Sequence, residues 1–309
     1  MSTVRKIVYI LGTIILIVAG LEYALLRHLQ KVISTSAKEE PIDPKDLLLS
    51  ANDIRFESED GVDLRGWLIL GKANYPAIVF AHDYMSDRSK TLSKLEGLIT
   101  TLNKEGYFIF LFDFRGHGES GSRTALGFHE NRDLEGALKA VLRYKQIARR
   151  IVVIGIGMGA IAAAENLNAI DEVKMIVFDS IYESIPSRSS EEILAELPFL
   201  TFARPLLVRA VGLNLKQLVH ISSVDLRLQH KMAALYPKAV VFVEKKPLRA
   251  EVKTLYDAAK EPKEILQMAE TASGELIGED RQKYNSQLIE KIHQLLPPVS
   301  NQKTLEIPR

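Results

Sequence analysis

The chain has 309 residues, 47% of them apolar, with 40 basic and 39 acidic side chains and no cysteine. Charge this evenly balanced gives no electrostatic basis for nucleic-acid binding, and the composition is that of an ordinary globular protein. The lack of cysteine excludes disulfides, thiolate nucleophiles and cysteine metal sites, and is silent on compartment.

The first element is "IVYILGTIILIVAGLEYALL", Ile7 to Leu26, about 20 residues whose one charge is Glu22. As a helix rising about 1.5 Å per residue it spans roughly 30 Å, the thickness of a bilayer's hydrocarbon. Arg5 and Lys6 precede it, and Arg27 and Lys31 follow. Two readings are open. A short basic start and Val18-Ala19-Gly20 suit a cleaved signal peptide. The apolar run continues through Tyr23-Ala24-Leu25-Leu26, past where a cleavage region turns polar, and this favours an uncleaved anchor. The flanking charge orients the anchor poorly. The usual signal-anchor arrangement, with the short N-terminus inside, places the rest of the chain on the non-cytoplasmic side.

Residues 1–28 are thus expected to form the membrane anchor, 29–50 a polar tether, 51–298 one α/β domain and 299–309 a tail. The tether contains "STSAKEEPIDPKD", with its two prolines. No internal repeat or low-complexity tract is present.

Within the domain, "DIRFESEDGVDLRGWLILG" alternates on either side of Glu59-Asp60-Gly61 and predicts an antiparallel hairpin. "PAIVFAH", Pro76 to His82, reads as a strand buried on both faces. "SKTLSKLEGLITTLNKEG" has apolar residues at helical spacing and a stop at Gly106. The strand "YFIFLFD" runs into the glycine-rich turn "RGHGESG". A helix through "NRDLEGALKAVLRYKQ" leads to the strand "RIVVIG" and the turn Gly155-Ile156-Gly157-Met158-Gly159. "GAIAAAENLNAI" is helical, and "VKMIVFDS" is the next strand. Residues 185–236 break this rhythm with helical segments and no evident strand, as a cap over the sheet's carboxyl edge would. "KAVVFVE", "EVKTLYDAAK", "KEILQMAE" and "DRQKYNSQLIEKIHQLL" then give strand, helix, strand and closing helix. The alternation predicts a mostly parallel sheet with helices on both faces.

These landmarks, in this order, resemble the α/β-hydrolase family, especially its esterase and serine-aminopeptidase-like branches. "DFRGHGES", Asp113 to Ser120, is similar to the family's turn after the fourth strand. "VFAHDYMSDR" is similar to its His-Gly loop after the third, and "GIGMG" sits where its nucleophile elbow belongs. The resemblance implies serine at the elbow, an acid after a late strand and a histidine before the last helix. The serine position is Gly157, which cannot form an acyl intermediate. The acid region, "EKKPLRAE", offers Glu244 too early and Glu251 too late. The histidine region, "AETASGELIGE", has no histidine, and His293 is the one histidine beyond it.

The resemblance also implies two backbone oxyanion donors, one of them the N–H of Met158. The family's His-Gly is here His82-Asp83, and a carboxylate beside a developing oxyanion opposes it. No catalytic set is therefore assigned. The remaining cleft candidates are His82, Asp83, Ser86, His117, Asp179 and Ser180, with Tyr84, Met85 and Met158 as candidate binding residues. Each also has a structural reading: His82 and His117 as loop posts, Asp179 and Ser180 as a turn after a strand, Tyr84 and Met85 as loop packing. His82, Asp83, His117 and Asp113 do not have the spacing of a recognised metal ligand set, and no cofactor is implied.

Three functions stay in contention. The leading expectation is a membrane-anchored, catalytically degenerate α/β-hydrolase-like protein that binds a small apolar ligand or a protein at its cleft or cap. The alternatives are an active membrane-associated hydrolase with an unusual residue set, acting on an ester, lipid or peptide, and a structural subunit of a membrane complex.

Overall fold

The structure is a computed structural model that describes residues 3–34, 42–125, 127, 129–182, 198–218, 228–272, 274 and 276–297; some side chains within its helices are also left undescribed. The chain divides into two compact units. One joins Met1–Thr35 with Ile185–Val224, and the other joins Ser36–Ser184 with Asp225–Arg309.

The larger unit holds a sheet which, among the described residues, has eight strands in the order β1-β2-β4-β3-β5-β6-β7-β8. β1 (Ala51–Glu57) and β2 (Asp63–Ile69) form the expected hairpin, with Glu57 opposite Asp63. β2 runs antiparallel to β4 (Phe108–Asp113). β3 (Tyr75–Ala81), β5 (Ile147–Ile156), β6 (Val173–Asp179), β7 (Ala239–Lys245) and β8 (Lys263–Met268) complete the sheet, with every pairing from β4 to β8 parallel.

Side chains alternate across each strand, so one strand feeds two cores. Ile109 and Leu111 of β4 join a cluster with Ile78, Phe80, Leu98, Leu102, Tyr284, Leu288 and Ile292. Phe110 and Phe112 turn to the other face and meet the Phe56 ring in tilted and edge-on contacts. The helices are α2 (Arg88–Lys94), α3 (Glu96–Glu105), α4 (Glu130–Leu142), α5 (Met158–Asn166), α8 (Ala250–Ala258) and α9 (Gly278–Leu295). The stretch expected as a single helix up to Gly106 is two helices. The chain leaves helical geometry at Leu95, where φ is −107° and ψ is 21°. Gly106 ends α3 at φ 117°, as its position suggested.

In the smaller unit, α1 runs from Thr3 to Ser34, and a short 3-10 turn, Pro198–Ala203, leads into α6 (Arg204–Leu218). The remaining short helix, α7 (Gln229–Met232), belongs to the larger unit. Among the described residues no helix is long and apolar enough to cross a membrane. The side chains of Ile7, Val8, Ile14, Ile17 and Val18, all in the apolar run, lie outside those described. Parts of the stretch expected as a cap, residues 185–197 and 219–227, also lie outside them.

Candidate functional site

β3, β5 and β6 end side by side, so the residues that follow them meet at the sheet's carboxyl edge. Gly157 follows β5 at φ 51°, ψ −108° and starts α5. A side chain is strained in that backbone region, while glycine enters it without a Cβ penalty. Gly159 serves packing: a Cβ there would lie 2.0 Å from the Ala81 carbonyl oxygen, so its absence lets α5 sit against β3.

The space above Gly157 is filled from another loop. Asp83 Oδ1 accepts the main-chain N–H of Tyr84 at 2.7 Å and that of Met158 at 2.9 Å. A Cβ on Gly157 would lie 1.9 Å from the same oxygen. Those two N–H groups stand after β3 and after the elbow, where an acyl-transfer enzyme of this fold gathers an oxyanion. The sequence suggested that Asp83 would oppose an oxyanion. In the structure its carboxylate accepts the donors itself. The Met158 side chain is buried and takes a long contact from Thr124 Oγ1, 3.8 Å to its sulfur, so its role at this edge is its backbone N–H.

His82 Nε2 accepts the Phe114 N–H at 3.0 Å, so the proton sits on Nδ1, which donates to the Asp83 carbonyl at 2.7 Å. Burial, then neighbouring His117, lowers its pKa well below the usual imidazole value. Both nitrogens are committed, and His82 is a neutral post between two loops. His117 Nδ1 donates to the Arg115 carbonyl at 2.9 Å, and burial lowers its pKa too. Its Nε2 is buried and has no hydrogen-bond partner among the described residues. The turn between them is braced by charge. Asp113 accepts the Arg88 N–H and guanidinium at 2.8 and 2.7 Å, and Arg115 pairs with Asp133 and Asp60 at 2.6 Å each.

Asp179, fully buried at the end of β6, accepts from the Ser180 hydroxyl (2.7 Å), the Tyr284 hydroxyl (2.7 Å) and the Ala272 N–H (3.0 Å). Burial is the largest influence and lifts its pKa to about 6; burial likewise raises that of Tyr284. Ser180 has a positive φ of 54°, and its hydroxyl lies 2.8 Å from Thr271 Oγ1. Asp179 thus ties down the loop after β8, the loop where the resemblance implies a histidine. Ser273 and Glu275 of that loop lie outside the described residues. At the end of β7, Arg249 grips Glu244 at 2.8 Å and Glu251 at 2.6 Å, so both carboxylates near the expected acid position are held in ion pairs.

Beside Asp83 lies a cavity of about 500 Å³. Tyr84, Met85, Leu95, Ile156, Leu276 and Ile277 give it apolar wall, Ser86, Thr91 and Ser93 give hydroxyls, and Lys90, Lys94 and Arg281 bring positive charge. Of the candidates named from sequence, Asp83, Ser86, Tyr84 and Met85 meet at this cavity. His82, His117, Asp179, Ser180 and the Met158 side chain do not line it. Sequence reasoning missed Tyr284, Thr271 and the three cations. Tyr284 alone left a trace: it shares a helical face with Leu288 and Ile292, and a hydroxyl on an apolar face needs a partner.

A sequence profile of the alpha/beta hydrolase family matches residues 78–297. The chain belongs to that family. It is 29% identical over 159 residues to the alpha/beta hydrolase domain-containing protein WAV2 of Arabidopsis thaliana, covering 50% of each chain. It is 30% identical over 95 residues to thiohydrolase aneE of Aspergillus aculeatus, covering 31% of this chain and 29% of that one. The chain spans about half the length of WAV2, and less of aneE. Among solved structures, the Pyrococcus furiosus esterase Pf2001 superposes with a TM-score of 0.68 at 23% identity, over 86% of this chain and 99% of that one. At that identity the likeness shows the fold alone.

Proposed function

We propose that this protein is a catalytically degenerate α/β hydrolase, held at a membrane, whose cleft binds a ligand without turning it over. The observation that carries the reading is Asp83 Oδ1 accepting from both Tyr84 and Met158, directly over a glycine. An oxyanion stabiliser works because its donors await the charge that develops in the transition state. Donors already satisfied by a fixed carboxylate offer nothing further to a second anion. His82 has no nitrogen to spare, and Glu244 and Glu251 are held by Arg249.

Membrane attachment is supported by α1. Tyr9, Ile10, Leu11, Ile15, Leu16, Leu21 and Tyr23 are all exposed along it. Seven large apolar side chains exposed along one helix are unusual in water, and hydrocarbon is their natural solvent. The domain then sits on the non-cytoplasmic side, following the signal-anchor arrangement.

The cavity suits an amphipathic anion, with the chain against Leu95, Leu276 and Ile277 and the carboxylate facing Lys94 and Arg281. Equilibrium dialysis of octanoate against the detergent-solubilised full chain tests this. Saturable binding that Lys94→Glu weakens is expected; binding indifferent to Lys94→Glu, or none, contradicts it. Ser86 at the cavity favours a second reading, an active hydrolase with a relocated nucleophile.

A further inference from the structure

α6 is a helix with two different faces. On one side Val211 and Asn214 are buried, and Asn214 Nδ2 donates to Glu22 Oε1 of α1 at 2.8 Å. The other side is open: Leu206 is 73% and Leu213 57% exposed, Arg209 is exposed between them, and Phe202 on the preceding turn is 85% exposed. Leu206 and Leu213 are seven residues apart, so at 3.6 residues per turn they share one stripe. From Pro198 to Leu218 there is no acidic residue, while Arg204, Arg209 and Lys216 supply positive charge.

Its height along α1 can be read from Glu22. That residue lies four positions before Leu26, the end of the apolar run, and so about 6 Å inside it. A helix lying in a membrane interface buries its apolar face roughly 5–10 Å below the boundary of headgroups and acyl chains. The Asn214–Glu22 contact therefore sets α6 at the depth such a helix adopts, and it gives the one carboxylate in the span a hydrogen-bond donor.

We infer that α6 is an interfacial helix, with Leu206, Leu213 and the neighbouring Phe202 inserted into the leaflet at the C-terminal end of α1 and Arg209, on the same stripe, reaching anionic headgroups. This rests on the reading of α1 as a membrane anchor. Anionic phospholipid is the occupant favoured by an exposed apolar stripe, a basic stretch of sequence without acidic residues and continuity with α1.

Because the chain has no cysteine, single nitroxide labels can be placed cleanly. Leu206→Cys, Leu213→Cys, Ile15→Cys and Arg55→Cys forms of the full chain would be reconstituted in vesicles of phosphatidylcholine with phosphatidylglycerol. Collision of each label with oxygen and with a water-soluble nickel chelate is then measured. The expected ratio of oxygen to nickel accessibility at Leu206 and Leu213 is several-fold above that at Arg55, which lies exposed on β1, and falls when phosphatidylglycerol is omitted. A ratio equal to that of Arg55, with Ile15 in lipid, overturns the inference and leaves the anchor standing. A water-like Ile15 overturns both. Labels at Leu206 and Leu213 shielded from oxygen and nickel alike point to a protein partner or a second copy, and also overturn it.

Discussion

Asp83 Oδ1 and the Met158 N–H meet at 2.9 Å across 75 residues of chain, and the contact occupies the one place where this fold would stabilise a developing oxyanion. The carboxylate and the elbow glycine are two halves of one arrangement. A side chain at position 157 and a carboxylate at position 83 compete for the same volume.

That competition has a measurable consequence. Gly157→Ala forces a Cβ to within 1.9 Å of Asp83 Oδ1 at a positive φ, and is expected to destabilise the protein by about 2–4 kcal/mol. Removing the obstacle in the double variant Asp83→Gly/Gly157→Ala should recover the part due to the clash and leave the backbone strain. Denaturant unfolding of the four proteins of this cycle gives the coupling, expected at about 1–3 kcal/mol. Additive effects would mean that the two positions do not share this space.

Asp179 makes stability depend on pH in an unusual direction. Its folded pKa of about 6 lies above the unfolded carboxylate value of about 4, so between these the folded state holds more protons. Stability from this group therefore falls as pH rises from about 4 to about 6, and is level above that. Asp113, also lifted to about 6 by burial, contributes in the same sense, so the comparison needed is between variants. Asp179→Asn should flatten the curve by on the order of 3 kcal/mol relative to wild type over that window. Parallel curves for the two proteins would show that Asp179 does not titrate there.

Much of the fold was legible because its punctuation is glycine and its strands are continuous apolar runs. Gly106 and Gly157 sit at positive φ as their contexts suggested, and the strand alternation pointed to the parallel sheet. The break at Leu95 was not legible, since the nearby Gly97 lies inside the first turn of α3 and Leu92, Leu95 and Leu98 continue the helical spacing. The loss of the serine was plain from a single letter. The direction in which Asp83 turns was not, because it depends on two backbone donors, one of them 75 residues away. The partners of Asp179 and Ser180 were hidden for the same reason: Ala272 and Tyr284 reach Asp179, and Thr271 reaches Ser180, only through the pairing of β6 with β7 and of β7 with β8.

For α1, the expected outcome is retention of the full chain in membranes washed with alkaline carbonate, with an intact N-terminus by mass spectrometry. The length of the Ile7–Leu26 run and its exposed side chains are the grounds. A mature form starting near Leu21 or Lys38 and released by the wash would establish cleavage instead.

Whether this α/β hydrolase has lost its chemistry is decided by turnover of a short-chain nitrophenyl ester. The full-length wild type, Gly157→Ser and Ser86→Ala proteins would be compared under identical conditions. All three are expected to stay at the background rate: a new serine would meet Asp83, and the described residues position no histidine to deprotonate it. Robust wild-type turnover that Ser86→Ala abolishes would contradict the loss of chemistry and place the nucleophile on the loop after β3.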